Sequence, residues 1–240
     1  MNVALIFAGG TGVRMNTKSL PKQFLELHSK PIIIHTLEYF ENHEEIDGII
    51  VVCVKGWIDY LNSKLAKFGI TKVKAIVEGG ETGQLSIKNG VDKIHELYPE
   101  DTVVLVHDGV RPLINRDIIS KNIESVKKNG SAITVSPAVE TLSILDEDKT
   151  HVKEIYDRSK CYFAKAPQSF LLKDLYEAHK KAFEAGKYDY IDSANLMKSY
   201  GHELFAVEGP MENIKITTPS DFYIFRAIVD ARENSQIFGV

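Results

Sequence analysis

Uninterrupted apolar runs recur along the chain and alternate with segments that carry apolar residues at helical spacing. Such runs are typical of strands buried on both faces of a sheet. The pattern predicts strands at 3–7, 48–54, 72–77, 102–106, 132–135 and 202–207. It predicts helices at 31–40, 57–68, 117–128, 171–186 and 193–200, and a further helix that follows the 78–83 loop and ends near Leu97. We therefore expect an α/β fold.

One segment, residues 139–157, departs from this pattern. Residues 141–145 and 151–155 alternate between apolar and polar, and the turn-like residues 146–149 separate them. This pattern predicts a projecting β-hairpin, the arm. A two-stranded hairpin with apolar positions needs something to pack on.

Composition narrows the class of partner. The chain has 240 residues and a net charge of −4, so it lacks the basic footprint of a nucleic-acid-binding protein. It contains no run of 18 apolar residues, so we expect no membrane span, and its first residues lack the pattern of an export signal. Its two cysteines, Cys53 and Cys161, cannot form a zinc site. These features predict a cytoplasmic protein.

The loop after the first strand, residues 8–24, contains the clearest chemical signal. Its glycines allow a tight turn and a close approach to a ligand, and they are Gly9, Gly10 and Gly12. Arg14 and Lys22 add positive charge, and this combination suits a polyphosphate. The loop lacks the Walker pattern, and Met15 breaks a dinucleotide fingerprint. An ordinary glycine-rich turn with solvated cations is the alternative.

A second signal lies at the end of the predicted strand 102–106, where His107-Asp108-Gly109-Val110-Arg111-Pro112 follows. Ligands bind at the carboxyl ends of strands in open α/β sheets. Asp108 could therefore hold a ribose hydroxyl, a polyol hydroxyl or a magnesium-bound water. Arg111 could bind substrate or pair with Asp108 structurally.

Four motifs in order resemble one family across nearly the whole chain. They are residues 10–15 with 21–24, residues 107–112, residues 164–170 and residues 212–217. The family comprises the cytidylyltransferases that act on methylerythritol phosphate and on ribitol phosphate. The resemblance implies one three-layer α/β domain spanning 1–240, with a mostly parallel, Rossmann-like sheet of the nucleotide-diphospho-sugar transferase type. It also implies a homodimer in which the arm helps to complete the partner's site.

The resemblance further implies a role for each matching residue. The catalytic cations would be Arg14, Lys22 and Lys215. The nucleotide would be bound by Ala8, Gly9, Gly10, Thr11, Gly12, Gly80, Ser86 and Asp108. The acceptor would be bound by Asp108, Arg111, Thr141, Arg158 and Lys165. The family uses Mg²⁺, which would be held mainly through the CTP phosphates rather than by protein ligands.

The chain departs from the family pattern at several motif positions. Gly83 stands where the base-binding loop has an arginine, and Ser193 stands in place of an acidic residue. In the third motif Ala166 replaces a threonine and Lys165 replaces a glutamine. The lost hydroxyl removes polar contacts to substrate, whereas Lys165 adds a cation. Without the resemblance, Arg158 would be interpreted as a surface residue paired with Asp157.

The expected reaction joins CTP and a polyol phosphate to form a CDP-polyol and pyrophosphate. The spacing between Arg14-Met15 and Pro21 resembles that of the ribitol branch, which is about one residue longer here than the methylerythritol branch. This spacing favours D-ribitol 5-phosphate, used for a cell-surface polymer, over methylerythritol phosphate, used for isoprenoids. A catalytically silent nucleotide-binding regulator is the alternative from another class. A Rossmann dehydrogenase is disfavoured by Met15.

Overall fold

The structure is a computed structural model that describes residues 1–10 and 20–238, with side chains through residue 235. The predicted site residues Thr11, Gly12 and Arg14 lie outside the described residues. The strands are β1 (Asn2–Ala8), β2 (Glu26–Leu27), β3 (Lys30–Pro31), β4 (Gly48–Cys53), β5 (Val73–Glu78), β6 (Val103–Asp108), β7 (Ser131–Pro137), β8 (Ser143–Leu145), β9 (Val152–Ile155), β10 (Tyr162–Leu171) and β11 (Ala206–Glu208).

The helices are α1 (Ile32–Glu41), α2 (Ile58–Lys67), α3 (Gly83–Leu97), α4 (Arg116–Asn129), α5 (Leu172–Glu184), α6 (Ser193–Ser199) and α7 (Pro219–Phe238). Local chemistry sets several of their ends. The Asn115 side chain caps α4, which ends at Gly130 in the left-handed conformation with φ of 87°. Thr218 precedes α7, and its hydroxyl accepts a bond from the Asp221 N–H. Within the described residues, none of these helices is long and apolar enough to cross a bilayer.

Seven strands form one sheet in the order β11-β7-β10-β6-β1-β4-β5. β1 pairs in parallel with both β4 and β6, and β5 and β11 extend the parallel pairing at the two ends. β10 is antiparallel to both of its neighbours, β6 and β7. The mostly parallel sheet expected from the sequence is therefore confirmed.

Helices cover both faces of the sheet and form two apolar cores. One core joins the sheet to α1, α2 and α4, with Leu37, Leu61 and Ile119 fully buried. The other joins it to α3, α5 and α6, with Ile94 and Leu175 fully buried. The expected three-layer arrangement follows, because the central strands β1, β4 and β6 are buried and largely apolar on both faces.

The strand β10 is absent from the sequence prediction. Its residues 166–169 read Ala-Pro-Gln-Ser, and a proline within a run argues against a central strand. The register with β7 shifts between Ala164 and Gln168, so Pro167 falls at an irregularity where no ladder N–H is needed. The polar residues are instead bonded internally: the Ser169 hydroxyl donates to Asn122 Oδ1 at 2.9 Å.

The arm is present as the antiparallel pair β8–β9, with Ser143 opposite Ile155. Its apolar side chains are exposed: Ile144 at 45%, Leu145 at 44%, Val152 at 56% and Ile155 at 66%. A single chain therefore leaves this apolar hairpin without a covering partner among the described residues.

Candidate functional site

Three strand ends bring the predicted nucleotide loops together. β1 ends at Ala8, β5 at Glu78 and β6 at Asp108. The register of β1 with β6 aligns Phe7 with Asp108, and the register of β1 with β4 aligns Ala8 with Cys53. Gly9 and Gly10 follow β1, while Gly79 and Gly80 follow β5. The parallel arrangement thus places both glycine loops and Asp108 at one edge of the sheet, the usual ligand edge of such folds.

Gln23 joins the end of the loop at residues 8–24 to its beginning. This residue is 1% exposed, and its amide donates to the carbonyl oxygens of Ala8 at 2.7 Å and Gly10 at 3.3 Å. The neighbouring Lys22 ammonium donates to the Ile216 carbonyl at 3.2 Å. Lys22 is therefore placed beside the segment that carries Lys215. Gln23 belongs to the first family motif, but the sequence alone assigned it no role.

The Gly80 loop closes around a buried serine. The Gly80 N–H donates to Ser86 Oγ at 2.9 Å, and that hydroxyl donates to the Thr82 carbonyl at 2.8 Å. A Cβ at Gly79 would lie 3.1 Å from Ser86 Oγ and 3.3 Å from the Gly9 Cα. The two glycine loops thus pack backbone to backbone, which side chains at Gly79 or Gly9 would disturb.

Asp108 is the largely buried anion of the site, with its side chain 15% exposed. Its carboxylate accepts from Lys215 Nζ at 2.6 Å and lies 3.3 Å from Arg111 Nε. Burial alone would raise the pKa of Asp108, but the Lys215 ammonium and the Arg111 guanidinium outweigh burial and lower this pKa to about 2. The carboxylate is therefore ionised at neutral pH and orients both cations.

Asn213 joins the separate segments that carry the cations. It is fully buried, and its side-chain amide donates to the Ala166 carbonyl of β10 at 2.7 Å. Its own carbonyl accepts from Arg111 Nη1 at 2.7 Å and from Lys165 Nζ at 3.4 Å. Burial, followed by the nearby Arg111 charge, lowers the pKa of Lys165. Asn213 is a second residue whose role sequence reasoning missed, although it begins the motif that contains Lys215.

A cavity of about 260 Å³ opens beside these groups. Its charged lining residues are Asp108, Arg111, Lys165, Asp192 and Lys215. Asp192 is already engaged, because its carboxylate caps α6 and accepts from Gln168 Nε2 at 2.9 Å. Three cations thus face two carboxylates, and this excess of positive charge suits an anionic ligand.

Two predicted acceptor residues, Thr141 on the arm and Arg158 just after it, lie elsewhere in the single chain. Thr141 and Arg158 are exposed, and neither lines the cavity. Arg158 Nη1 donates to the Val139 carbonyl at 3.1 Å, at the base of the arm. Within one chain, the described structure therefore brings Asp108, Arg111, Lys165 and Lys215 together but not Thr141 or Arg158.

Comparison with known proteins identifies close relatives. Residues 2–231 match the profile of the family described as 2-C-methyl-D-erythritol 4-phosphate cytidylyltransferase, IspD. A ribitol-5-phosphate cytidylyltransferase of Vibrio parahaemolyticus is 56% identical over 239 residues, and one of Streptococcus agalactiae serotype V is 55% identical over 240 residues; each match covers 100% of both chains. The crystal structure of 4-diphosphocytidyl-2C-methyl-D-erythritol synthase from Anaerococcus prevotii superposes with a TM-score of 0.81 at 29% identity, covering 95% of this chain and 96% of that one.

Proposed function

The chain belongs to the 2-C-methyl-D-erythritol 4-phosphate cytidylyltransferase family, and we propose that it transfers the cytidylyl group of CTP to D-ribitol 5-phosphate. The observation that carries this choice of acceptor is the full-length identity of 55–56% to relatives named for ribitol 5-phosphate. The solved structure named for the methylerythritol compound is 29% identical. The products would be CDP-ribitol and pyrophosphate.

In the proposed reaction an oxygen of the acceptor phosphate attacks the α-phosphorus of CTP. The bond from this phosphorus to the bridging oxygen of the β-phosphate breaks, and pyrophosphate leaves with the electron pair. Such a transfer depends on alignment and charge neutralisation more than on proton movement. Lys22 and Lys215, together with Arg14, would stabilise the additional negative charge of the transition state.

Asp108 has a supporting part in this mechanism. The 2.6 Å pair holds the Lys215 ammonium at the strand ends where the nucleotide loops meet. The Lys215 side chain is still 40% exposed, which leaves room for a phosphate oxygen to approach it. Arg111 and Lys165 would bind the acceptor beside it, since both line the cavity.

We propose Mg²⁺ as the cofactor, bound through the CTP phosphates. The donor set supports this assignment, because the Asp108 carboxylate already contacts two cations and Asp192 is engaged by α6 and Gln168. Oxygen ligands are what Mg²⁺ prefers, and the triphosphate supplies them. When bound, the ion would neutralise phosphate charge and favour departure of pyrophosphate.

We further propose that two chains form a homodimer through the arm, residues 139–157. The exposed apolar side chains of β8 and β9 support this pairing, because an isolated hairpin of this kind needs a packing surface. In the dimer, Thr141 and Arg158 would reach the partner's acceptor phosphate, for which a guanidinium group is well shaped. The proposed setting is the cytoplasm, and the product would feed a cell-surface polymer.

The family profile and the solved structure favour a second candidate acceptor, methylerythritol 4-phosphate, because both are named for it. Measuring pyrophosphate release with CTP and Mg²⁺ on the two acceptors in parallel distinguishes them. We expect turnover with D-ribitol 5-phosphate to exceed turnover with the other acceptor. The reverse preference would refute the proposed acceptor, and CTP binding without turnover on a panel of alditol phosphates would indicate the regulator.

The proposed electrostatic role of Lys215 gives a residue test in the same assay. Lys215→Ala should lower kcat by roughly 10²–10³-fold, as removal of one preorganised donor does elsewhere. The matched control is Lys121→Ala, which removes an exposed lysine paired with Asp117 on α4. A change in kcat below about threefold for Lys215→Ala would contradict the role.

A further inference from the structure

Two buried polar side chains on the helical wall of the cavity lack partners. His179 of α5 is 2% exposed, and neither of its ring nitrogens has a hydrogen-bond partner among the described residues. Ser193, the first residue of α6, is 3% exposed, and its hydroxyl is likewise unpartnered there. Both residues line the same cavity as Asp108 and Lys215.

Such groups call for a ligand because buried polar atoms are almost always hydrogen-bonded. Most of the wall around them is satisfied or apolar. The Gln84 amide is used at both ends, by the Lys187 carbonyl and the Tyr190 N–H, and the Gln168 amide is used by Asp192 and the Ala194 N–H. The apolar lining residues include Phe7, Ile87, Val106 and Leu196. His179 and Ser193 therefore present unsatisfied donors and acceptors to the cavity.

The charge state of His179 decides which ligand it suits. Burial, followed by the Lys88 charge, lowers the pKa of His179 to about 3. The imidazole is consequently neutral at working pH, with one N–H donor and one bare nitrogen acceptor. A neutral ring offers a phosphate no charge and only its single N–H, whereas a hydroxyl group can use either ring nitrogen, as donor to one or acceptor from the other.

We propose that His179 and Ser193 form a hydroxyl-binding wall that recognises the carbon chain of the acceptor alditol. This inference rests on the proposed function and specifies how its acceptor is selected. The ribose of CTP also carries hydroxyl groups. The acceptor is favoured because the cavity is lined by Lys165 and Arg111, whereas the nucleotide-loop residues Gly9, Gly80 and Ser86 are not among its lining residues.

The wall accounts for selection by hydroxyl content rather than by charge. A site built to hydrogen-bond a substrate hydroxyl rejects an analogue that lacks it, because its own buried groups are then left unpaired. The cations beside Asp108 would bind any phosphate, so they cannot distinguish one alditol phosphate from another. His179 and Ser193, which line the same cavity, would supply this discrimination.

The test is a cycle between variants and substrate analogues. KM and kcat are measured for wild type, His179→Leu, His179→Gln and Ser193→Ala on D-ribitol 5-phosphate and on its singly deoxygenated analogues. We expect His179→Leu to raise the acceptor KM by about tenfold with little change in kcat or in the KM for CTP. His179→Gln keeps a donor and an acceptor and should restore part of the affinity. Wild type should bind the deoxy analogues with a higher KM than D-ribitol 5-phosphate. For at least one analogue, this difference in KM should disappear in His179→Leu.

Several controls keep the result interpretable. His202→Leu makes the same replacement at a half-buried residue that does not line the cavity, and thermal unfolding reports any loss of fold. An unchanged acceptor KM in His179→Leu and Ser193→Ala would mean that only water occupies the wall and would overturn the proposal. A rise confined to the KM for CTP, abolished with a deoxyribose analogue of CTP, would assign the wall to the ribose and also overturn it.

The cycle also separates this inference from the proposed function. If wild type prefers methylerythritol 4-phosphate, the proposed acceptor is wrong, and the same variants are then measured on that substrate. A raised KM for methylerythritol 4-phosphate in these variants would support the wall as a hydroxyl-binding surface. An unchanged KM would refute the wall.

Discussion

Asp108 lies where residues from distant parts of the sequence meet. The loop that follows its strand supplies Arg111 three residues later, whereas Lys215 comes from beyond β11. The two cations hold the pKa of this carboxyl below its usual value of 3.8, against the opposing effect of burial. A folded-state pKa below the unfolded value means that the pair stabilises the fold above about pH 4 and loses that effect as the pH falls towards 2.

We therefore expect Asp108→Asn to be less stable than wild type at neutral pH by about 2 kcal/mol, because Arg111 and Lys215 lose their counterion. The difference in the free energy of unfolding should shrink between about pH 4 and pH 2, where wild-type Asp108 becomes protonated. Urea unfolding of both proteins at several pH values measures this difference in the free energy of unfolding. Asp117→Asn, which disrupts an exposed pair on α4, is the control. A difference that does not change with pH would contradict the assignment.

The sequence revealed the charged residues of the site but not the neutral ones that position them. Asp108 and Lys215 stand in recognisable motifs at strand or helix ends. Gln23 and Asn213 act through backbone carbonyl groups, Gln23 on Ala8 and Asn213 on Ala166. An amide side chain in a sequence carries no indication of which distant carbonyl it will meet, so these contacts required the fold.

At the scale of elements, helix α3 packs closely against the sheet at Gly90. A Cβ at Gly90 would overlap the Leu5 side chain and come within 2.8 Å of Val52 Cγ2. The close approach brings the N-terminal end of α3, with Gly83 and Gln84, against the cavity. The sequence predicted the helix but gave no reason to treat Gly90 as a contact point.

Gly90→Ala should therefore lower the free energy of unfolding by about 1–3 kcal/mol through overpacking, less the gain in helix propensity. Thermal or urea unfolding measures the loss. Gly83→Ala in the same helix is the matched control, because a Cβ there meets nothing within 4 Å. If the two variants are equally stable, the sheet accommodates the added methyl group without strain, and the predicted overpacking is wrong.

The arm gives a second prediction at the scale of elements. Ile155→Asp places a charge on its most exposed apolar position, at 66%. If the arm pairs with a second chain, this change should shift the protein to monomer, as measured by light scattering after gel filtration. Leu97→Asp, at an exposed apolar residue that ends α3, should leave the assembly unchanged. A monomeric wild type would refute the dimer.

β10 shows why a central strand can escape prediction. Strands predicted from apolar runs, such as β4 and β6, are buried on both faces and carry few polar residues. β10 carries Gln168 and Ser169 into the same sheet, and their partners, Asp192 and Asn122, come from other elements. Its polar residues are thus acceptable only in the folded context, which an alternation pattern cannot represent.

At the scale of the whole molecule, the proposed dimer makes each site a product of two chains. Mixing Arg158→Ala with Lys215→Ala chains tests this directly, after unfolding and refolding them together. A heterodimer would contain one site with both native residues, so an equal mixture should recover about one quarter of wild-type turnover. If Arg158 serves its own chain, the mixture should remain as inactive as either variant alone.

The route of the chain has a consequence for its synthesis. The sheet is complete once β11 ends at Glu208, but Lys215 follows it, and Ile216 joins the loop after β6 through a bond to the Val110 carbonyl at 2.9 Å. Packing of Phe225 from α7 beside Ile216 secures this segment. A nascent chain can therefore contain every strand of the sheet and still lack the ammonium that pairs with Asp108. If Lys215 has the proposed role, a growing chain consumes no CTP before residue 215 is in place, even though its sheet is already formed.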